Sequence, residues 1–147
     1  MNMFFQAIKT CVKDKLFITG GRASRAEFWY FMLFATCLRL VSHPLTWNHY
    51  TTVLYSIINF IVFLGIYTVT LRRLHDTDRS GLHVAPVLIG LLIIGVGFFM
   101  MIPMSLQVGA SVSGAGILYL LALCTLKGTP GANRYGEPMP LPQKSAK

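Results

Sequence analysis

Hydrophobic residues along the chain fall into four long runs that short polar stretches separate. The runs cover about residues 28–45, 52–71, 82–102 and 108–126. Each is close to the roughly 20 residues that a helix needs to cross the hydrocarbon core of a bilayer. Backbone polar groups in lipid must be satisfied within the segment, so runs of this length indicate helices even where β-branched residues are frequent. The pattern therefore predicts an all-α integral membrane protein with four transmembrane helices.

A shorter periodicity precedes the first run. Within residues 1–20, five apolar residues recur at helical spacing: Phe4, Phe5, Ile8, Val12 and Leu16. Lys9 and Lys13 occupy the other side, which predicts a short amphipathic helix at the membrane surface, either an anchor or a lipid-sensing or partner-binding helix. These lysines also interrupt any signal-peptide core, so no cleavage is expected. Residues 21–138 then form the membrane domain, and residues 139–147 form a flexible tail.

The second run continues without a break into RRLHDTDRSG, residues 72–81. A stretch with five charges cannot lie in hydrocarbon, so it is expected at a membrane surface. If the helix continues through it, Arg72, Asp76 and Arg79 share one face, and Ser80 with Gly81 ends the helix.

Charge sets the predicted orientation. The chain has a net charge of +8. Charged residues other than Arg39 cluster in three segments: 9–27, 72–79 and 127–147. The connections between the first and second runs and between the third and fourth have none, so the positive-inside rule predicts that both termini are cytoplasmic. Because the basic residues lie between membrane-spanning runs, the expected partner is the lipid bilayer rather than nucleic acid.

Neither a metal nor a cofactor is predicted. The three cysteines have no ligand-like spacing: Cys11, Cys37 and Cys124. Asp76 and Asp78 point about 200° apart on a helix, and His83 lies beyond a glycine, so these side chains do not converge with His75 on one ion.

Three stretches carry a resemblance to a known family. They are GRASRAEFWYF at 21–31, RRLHDTDRSG at 72–81 and GTPGANRYGEP at 128–138. In this order they resemble the bacterial YhaH/YhaI-like inner-membrane family, catalogued as domain of unknown function 805. The resemblance implies a small polytopic protein of a bacterial inner membrane, and no activity. Where this chain has GEP at 136–138, the family tends toward GPDP, which could shift a turn.

Basic groups outnumber acidic ones where these motifs meet the inner surface. The surplus predicts a structural or binding protein whose site takes an anionic lipid headgroup, a phosphorylated ligand or an acidic partner segment. The predicted ligand-binding residues are Arg22, Arg25, Arg72, Arg73, Arg79, Asn133 and Arg134. We expect them around a shallow, phosphate-sized depression. Beside it, Glu27 is predicted to face Arg72 or Arg73, Asp76 to be engaged by an arginine, and a turn at 131–136 to fold Asn133 and Arg134 back over residues 72–81. The alternative is that the charges only hold the topology and pair with one another to lock the helix ends together.

Two further functions stay open. His75 and Asp76 have the side chains for acid–base chemistry on a phosphorylated lipid, but no known reaction template is matched, so an enzyme is uncertain. Arg39, inside the first run, could mark the pathway of an oligomeric transporter or channel. As a structural alternative, Asn59 is expected to pair with Arg39. The small-residue face of the fourth run could hold a homo-oligomer together through Gly109, Ser113 and Gly114.

Overall fold

The computed structural model describes residues 3–47 and 49–138, and its regular structure there is helical apart from one isolated bridge between Asn133 and Gly136. The helices are α1 (Met3–Lys9), α2 (Arg25–Ser42), α3 (His49–Asp76), α4 (Ala85–Phe99) and α5 (Ser105–Thr125). A π-helical turn follows α1 at Thr10–Asp14, and 3-10 turns lie at His43–Trp47 and Gly81–Val84. The predicted flexible tail, residues 139–147, lies outside the described residues.

Three of the described helical segments are long and apolar enough to cross a membrane. They are Tyr50–Asp76, Gly81–Phe99 and Ser105–Thr125, and they correspond to the second, third and fourth predicted runs. Helix α2 occupies the place of the first run, but its 18 residues include Arg25, Glu27 and Arg39. A transmembrane position for α2 therefore stays a prediction.

Helix α1 packs along α2. The Phe4 ring meets the Tyr30 ring edge-on at 5.9 Å between centroids. The buried side of this segment is centred on Ala7 and Cys11, whereas Phe5 is 61% exposed. The buried face is therefore rotated from the predicted one, because small side chains allow the closest approach to α2 and leave large apolar ones pointing outward.

Helices α4 and α5 approach each other closely through small residues. A Cβ atom at Gly90 would lie 2.6 Å from the Ser113 nitrogen and 2.7 Å from the Gly109 carbonyl oxygen. The Ser113 hydroxyl donates to the Val87 carbonyl at 3.4 Å. Gly109 and Ser113 are thus used within one chain, which corrects the predicted oligomer face. Of that face only Gly114 has no atom within 4 Å of its Cβ position, so a homo-oligomer stays a prediction without an assigned face.

Helix α3 ends at Asp76, earlier than predicted. Asp78 has a φ of 57°, in the left-handed region. Its nitrogen donates to the His75 carbonyl at 3.1 Å, and the Arg79 nitrogen donates to the Leu74 carbonyl at 3.0 Å. These two bonds form a Schellman motif, with an aspartate where glycine is usual. Arg79 therefore lies beyond the helix and does not share a helical face with Asp76.

Candidate functional site

Three segments that are far apart in the sequence meet at one end of the helix bundle, named here the charged end: residues 21–27, 72–79 and 127–137. Their backbones are joined directly. The Ala23 nitrogen donates to the Arg72 carbonyl at 3.0 Å, and the Thr129 nitrogen donates to the Asp76 carbonyl at 2.9 Å. The last turn of α3 is therefore the centre of the charged end, with the other two segments on either side.

Arg22 links all three segments. Its side chain is 1% exposed, and its Nε donates to Asp76 Oδ1 at 2.8 Å. One terminal nitrogen donates to the Gly131 carbonyl at 2.6 Å and the Gly136 carbonyl at 3.4 Å. The other donates to the Thr129 carbonyl at 2.6 Å and the Asp76 carbonyl at 3.5 Å. A buried guanidinium stabilises a fold only when its donors are satisfied, and here every nitrogen has an acceptor.

Arg73 joins α3 to the end of α5. Its guanidinium pairs with Asp76 Oδ2, the carboxylate oxygen that Arg22 leaves free. It also donates to the carbonyls of Cys124, at 3.1 Å, and of Leu126. These carbonyls belong to the C-terminal end of α5, where a cation is favoured by the helix dipole. Asp76 is therefore shared between two buried arginines.

Arg72 joins α3 to α2 and to the N-terminal segment. Its Nη1 lies 2.6 Å from Glu27 Oε1, and its Nη2 lies 3.6 Å from Cys11 Sγ. Burial raises the pKa of the Cys11 thiol to about 12, and the Glu27 carboxylate adds to this shift. The thiol therefore stays protonated and donates to Glu27 at 3.6 Å. Ser24 Oγ accepts from the Glu27 nitrogen at 3.1 Å and caps the start of α2, while the Glu27 side chain turns to Arg72.

The predicted turn at 131–136 folds back over the end of α3. Asn133 Nδ2 donates to the His75 carbonyl and to Thr129 Oγ1, both at 2.9 Å. Asn133 Oδ1 accepts from the Tyr135 nitrogen at 2.9 Å, and Gly136 closes the turn with a φ of 114°. The Tyr135 ring stacks on His75 at 3.9 Å. Asn133 is thus occupied by backbone and side-chain partners inside the turn.

The structure divides the predicted ligand-binding set in two. Arg22, Arg72 and Arg73 are buried beneath the surface, and Glu27 and Asp76 are their acidic partners. This buried cluster has one more positive than negative group. Three predicted residues lie nearer the surface: Arg25, Arg79 and Arg134. A ligand from solution or from the membrane surface meets this outer set and not the buried one.

The outer set is only lightly engaged. Arg134 Nε lies 3.1 Å from Asp78 Oδ1, and both side chains are about half exposed, at 59% and 47%. An exposed ion pair of this kind contributes little to stability. Within residues 3–47 and 49–138, neither Arg25 nor Arg79 forms a hydrogen bond or ion pair through its side chain. Positive charge is therefore available at the charged end.

A hollow beside α3 does not have the arginine lining of the predicted depression, which therefore stays a prediction. This hollow of about 460 Å³ is lined by His75, Thr19 and mostly apolar neighbours. No arginine of the described chain lines it. His75 reaches this hollow, whereas Asp76 is engaged by two arginines and is not free to act as a base. The described residues contain no group of three metal-ligating side chains of the His, Cys, Asp or Glu type.

The predicted pairing of Arg39 with Asn59 is not formed. Asn59 Nδ2 donates to the Tyr55 carbonyl at 2.9 Å, four residues earlier in the same helix. Ser56 Oγ likewise donates to the Thr52 carbonyl at 2.9 Å. Short polar side chains in a helix often find such local acceptors. The Arg39 guanidinium has no hydrogen bond or ion pair anywhere in the described ranges.

Two residues that lie against the buried cluster are outside the predicted site. Cys11 contacts Glu27 and Arg72, and the only signal for it is its position four residues after Ala7 on the buried side of the N-terminal segment. Gly128 lies against Asp76, since a Cβ atom there would be 2.6 Å from the Asp76 Cγ. Its place directly before a turn-rich segment gives no indication that a carboxylate packs on it.

Comparison with known proteins yields one family. Residues 16–137 match the family described as Protein of unknown function (DUF805). The inner membrane protein YhaH of Escherichia coli K12 is 33% identical over 122 residues, covering 79% of this chain and 82% of YhaH. The inner membrane protein YhaI of the same strain is 31% identical over 123 residues, covering 80% and 82%. No solved structure matches the chain.

Proposed function

The chain belongs to the DUF805 family of proteins of unknown function, and from this premise we propose a small inner-membrane protein with four transmembrane helices and both termini in the cytoplasm. Three helices suitable for spanning support the proposal. Helix α2 supplies the fourth span, since its 18 residues extend about 27 Å, close to the thickness of the hydrocarbon core. The collection of basic residues at one end supports a cytoplasmic position for that end.

We expect a reporter fused after Gln143 to behave as cytoplasmic and one inserted at Asn48 to behave as periplasmic. The reason is that the charged end retains its lysines and arginines on the cytoplasmic side, while the connection between α2 and α3 has no charge. Paired alkaline phosphatase and green fluorescent protein fusions measure this directly. A cytoplasmic signal at Asn48 would contradict the transmembrane position of α2.

The proposed function of the charged end is to bind anionic lipid headgroups of the cytoplasmic leaflet. The observation that carries this proposal is the division of the arginines. The buried cluster has already satisfied Asp76 and Glu27, so the acidic groups left at the charged end are the exposed Asp78 and Glu137, against three outer arginines. The buried cluster positions the helix ends, and the outer set faces the headgroup layer.

The chemistry of arginine supports a phosphate ligand. A guanidinium presents a planar fork that makes two parallel hydrogen bonds to phosphate, whereas an ammonium acts as a single charged point. Basic residues near an anionic leaflet contribute about 1 kcal/mol each to membrane attraction. A free phosphorylated ligand or an acidic partner segment would use the same groups, but a lipid headgroup is already present at this depth.

We expect phosphatidylglycerol to raise the thermal unfolding temperature of the protein in nanodiscs relative to phosphatidylcholine alone. Arg79→Lys and Arg134→Lys should each lose part of that gain while unfolding at the parent temperature in phosphatidylcholine, because the charge is kept but the bidentate contact is lost. Asp78→Asn is the matched control, since it removes the negative charge beside Arg134 while keeping the hydrogen bond from Arg134 to the Asp78 carbonyl, and it should increase the gain. Equal gains in the parent and both lysine variants, or no gain at all, would show that the outer set has no lipid-binding role.

A further inference from the structure

We propose a second binding site, inside the membrane domain and separate from the charged end. It is a cavity that takes the apolar chain of an anionic amphiphile, whose carboxylate or phosphate group pairs with Arg39. The cavity has the volume and the apolar lining for a hydrocarbon chain, and Arg39 supplies a cation for the anionic group.

The cavity lies between two helix pairs. Helix α4 packs closely on α5, and α2 packs on α3, whereas the two pairs contact each other less. The space between them has a volume of about 360 Å³, and all four helices line it, including Met32, Phe63, Leu91 and Leu121. This volume falls within the range of roughly 300 to 1,000 Å³ that is usual for small-molecule sites. A mostly apolar lining of this kind suits a hydrocarbon chain.

Arg39 is the only Lys, Arg, Asp or Glu residue among the described residues that line this cavity. It lies 14 positions after Arg25, which corresponds to about 21 Å along α2 from the charged end. Helical side chains lean toward the N-terminus of their helix, so the guanidinium is directed away from the C-terminal end of α2 and toward the other lining residues. Arg39 lies in the last turn of α2 and is exposed, and a cation beside hydrocarbon is favoured by an anion or a polar group that faces it.

The other polar groups of the lining do not supply that partner. Thr70 Oγ1 donates to the Ile66 carbonyl at 2.7 Å, and Ser113 Oγ donates to the Val87 carbonyl at 3.4 Å. Tyr67 and Cys124 are the remaining polar residues of the described lining, which contains no carboxylate. The guanidinium therefore offers its donors to whatever enters the cavity, and the complementary group is an anion.

The apolar lining and the Arg39 guanidinium, which is unpaired within the described residues, together specify the kind of ligand that the cavity binds. A water-soluble anion would gain nothing from the apolar lining, and an uncharged lipid would leave the guanidinium unpaired. An acyl chain that ends in a carboxylate or a phosphate satisfies both. Such a molecule is either a free fatty acid or a phospholipid of the phosphatidic acid type, and the membrane supplies both.

The test uses three probes with the same fluorescent polyene chain: cis-parinaric acid, its methyl ester, and a phosphatidic acid that carries the chain. With the purified full-length protein in detergent, we expect at least one anionic probe to bind about tenfold or more tightly than the uncharged ester, as for a hydrogen bond to a charged group. Preference for the acid identifies a fatty-acid site, and preference for the phosphatidic acid identifies a phospholipid site. Equal binding of the ester, or no binding of either anion, overturns the proposal.

Variants of Arg39 test whether its guanidinium causes the tighter binding of the anionic probes. Arg39→Gln should weaken the anionic probes about tenfold and leave the ester unchanged, and Arg39→Lys should recover most of the affinity. Lys13→Gln is the charge-matched control, because Lys13 is exposed and outside the cavity. Unchanged affinity in a folded Arg39→Gln variant overturns the proposal.

Photocrosslinking of the unmodified protein covers the case in which Arg39→Gln does not fold. A diazirine-bearing fatty acid and its phosphatidic acid counterpart should label Met32, Leu120 or Leu121, which line the cavity and are not exposed, as mapped by mass spectrometry. Labels confined to outward residues such as Leu118, which is 71% exposed, would overturn the proposal.

Discussion

Arg22→Lys is expected to destabilise the folded protein by about 3 kcal/mol or more, although the positive charge is kept. The Arg22 guanidinium reaches Asp76 on one side and the carbonyls of Thr129 and Gly131 on the other. An ammonium group can pair with Asp76 but cannot span to both carbonyls. Each buried acceptor that loses its donor costs about 1 to 3 kcal/mol.

Thermal unfolding in neutral detergent, followed by helical circular dichroism, measures the loss. Arg25→Lys is the matched control, because Arg25 is a neighbouring arginine with an exposed side chain, and it should unfold at the parent temperature. Size-exclusion chromatography gives the fraction of monodisperse protein for each variant. If both lysine variants unfold together, Arg22 contributes only its charge, and its hydrogen bonds to residues 129–136 do not hold the three segments together.

Gly128→Ala is expected to destabilise the protein by about 3 kcal/mol, an effect far larger than one methyl group would have at a surface position. The added Cβ would lie 2.6 Å from the Asp76 Cγ and 2.9 Å from its Oδ1. The carboxylate would have to move, and two buried arginines, Arg22 and Arg73, would lose their shared partner. Removal of one partner from a buried ion pair typically costs about 3 to 5 kcal/mol.

Gly131→Ala provides the control for Gly128→Ala in the same segment. No atom lies within 4 Å of a Cβ at Gly131, and its carbonyl, which accepts from Arg22, is unchanged by the substitution. Chemical denaturation in mixed micelles should therefore separate the two variants clearly. Comparable midpoints for them would mean that the backbone at residue 128 can shift away from Asp76 without cost.

The meeting of the three motifs could be predicted because membrane topology constrains it. Hydrophobic length sets where each helix ends, and charge sets which ends share a side, so the ends near residues 25, 76 and 126 converge. The predicted contacts of Glu27 with Arg72 and of Asp76 with an arginine are present. They follow from the scarcity of acidic groups at that end, which leaves each carboxylate surrounded by cations.

The burial of Arg72 and Arg73 could not be predicted in the same way. Consecutive residues on a helix point about 100° apart, so these two side chains face different neighbours. Arg72 meets Glu27 of α2, and Arg73 meets the C-terminal carbonyls of α5. The positions of α2 and α5 around α3 depend on the packing of the whole bundle. The residue pattern within α3 therefore does not predict which neighbour each arginine contacts.

The failed pairing of Arg39 and Asn59 has a related cause. Counting residues from the helix ends gives the depth of each side chain in the membrane, but not the rotation of its helix. The Asn59 side-chain amide donates to the Tyr55 carbonyl within α3, so it needs no polar partner on α2.

The sequence predicts a longer α3 than the structure has, because Asp78 and not a glycine adopts the left-handed conformation at the end of this helix.

The long sequence separation of the Arg22 contacts also sets an order for biogenesis. Its carbonyl partners on Thr129, Gly131 and Gly136 are 107 to 114 residues further along the chain. At ribosomal rates of about 5 to 20 residues per second, Arg22 leaves the ribosome roughly 5 to 20 seconds before these partners. During that interval its guanidinium lacks these partners just before the start of α2, where the positive-inside rule would retain it on the cytoplasmic side in the proposed topology. In that topology the same side chain would first help to orient the nascent protein and then, once residues 129–136 are made, join them to the end of α3.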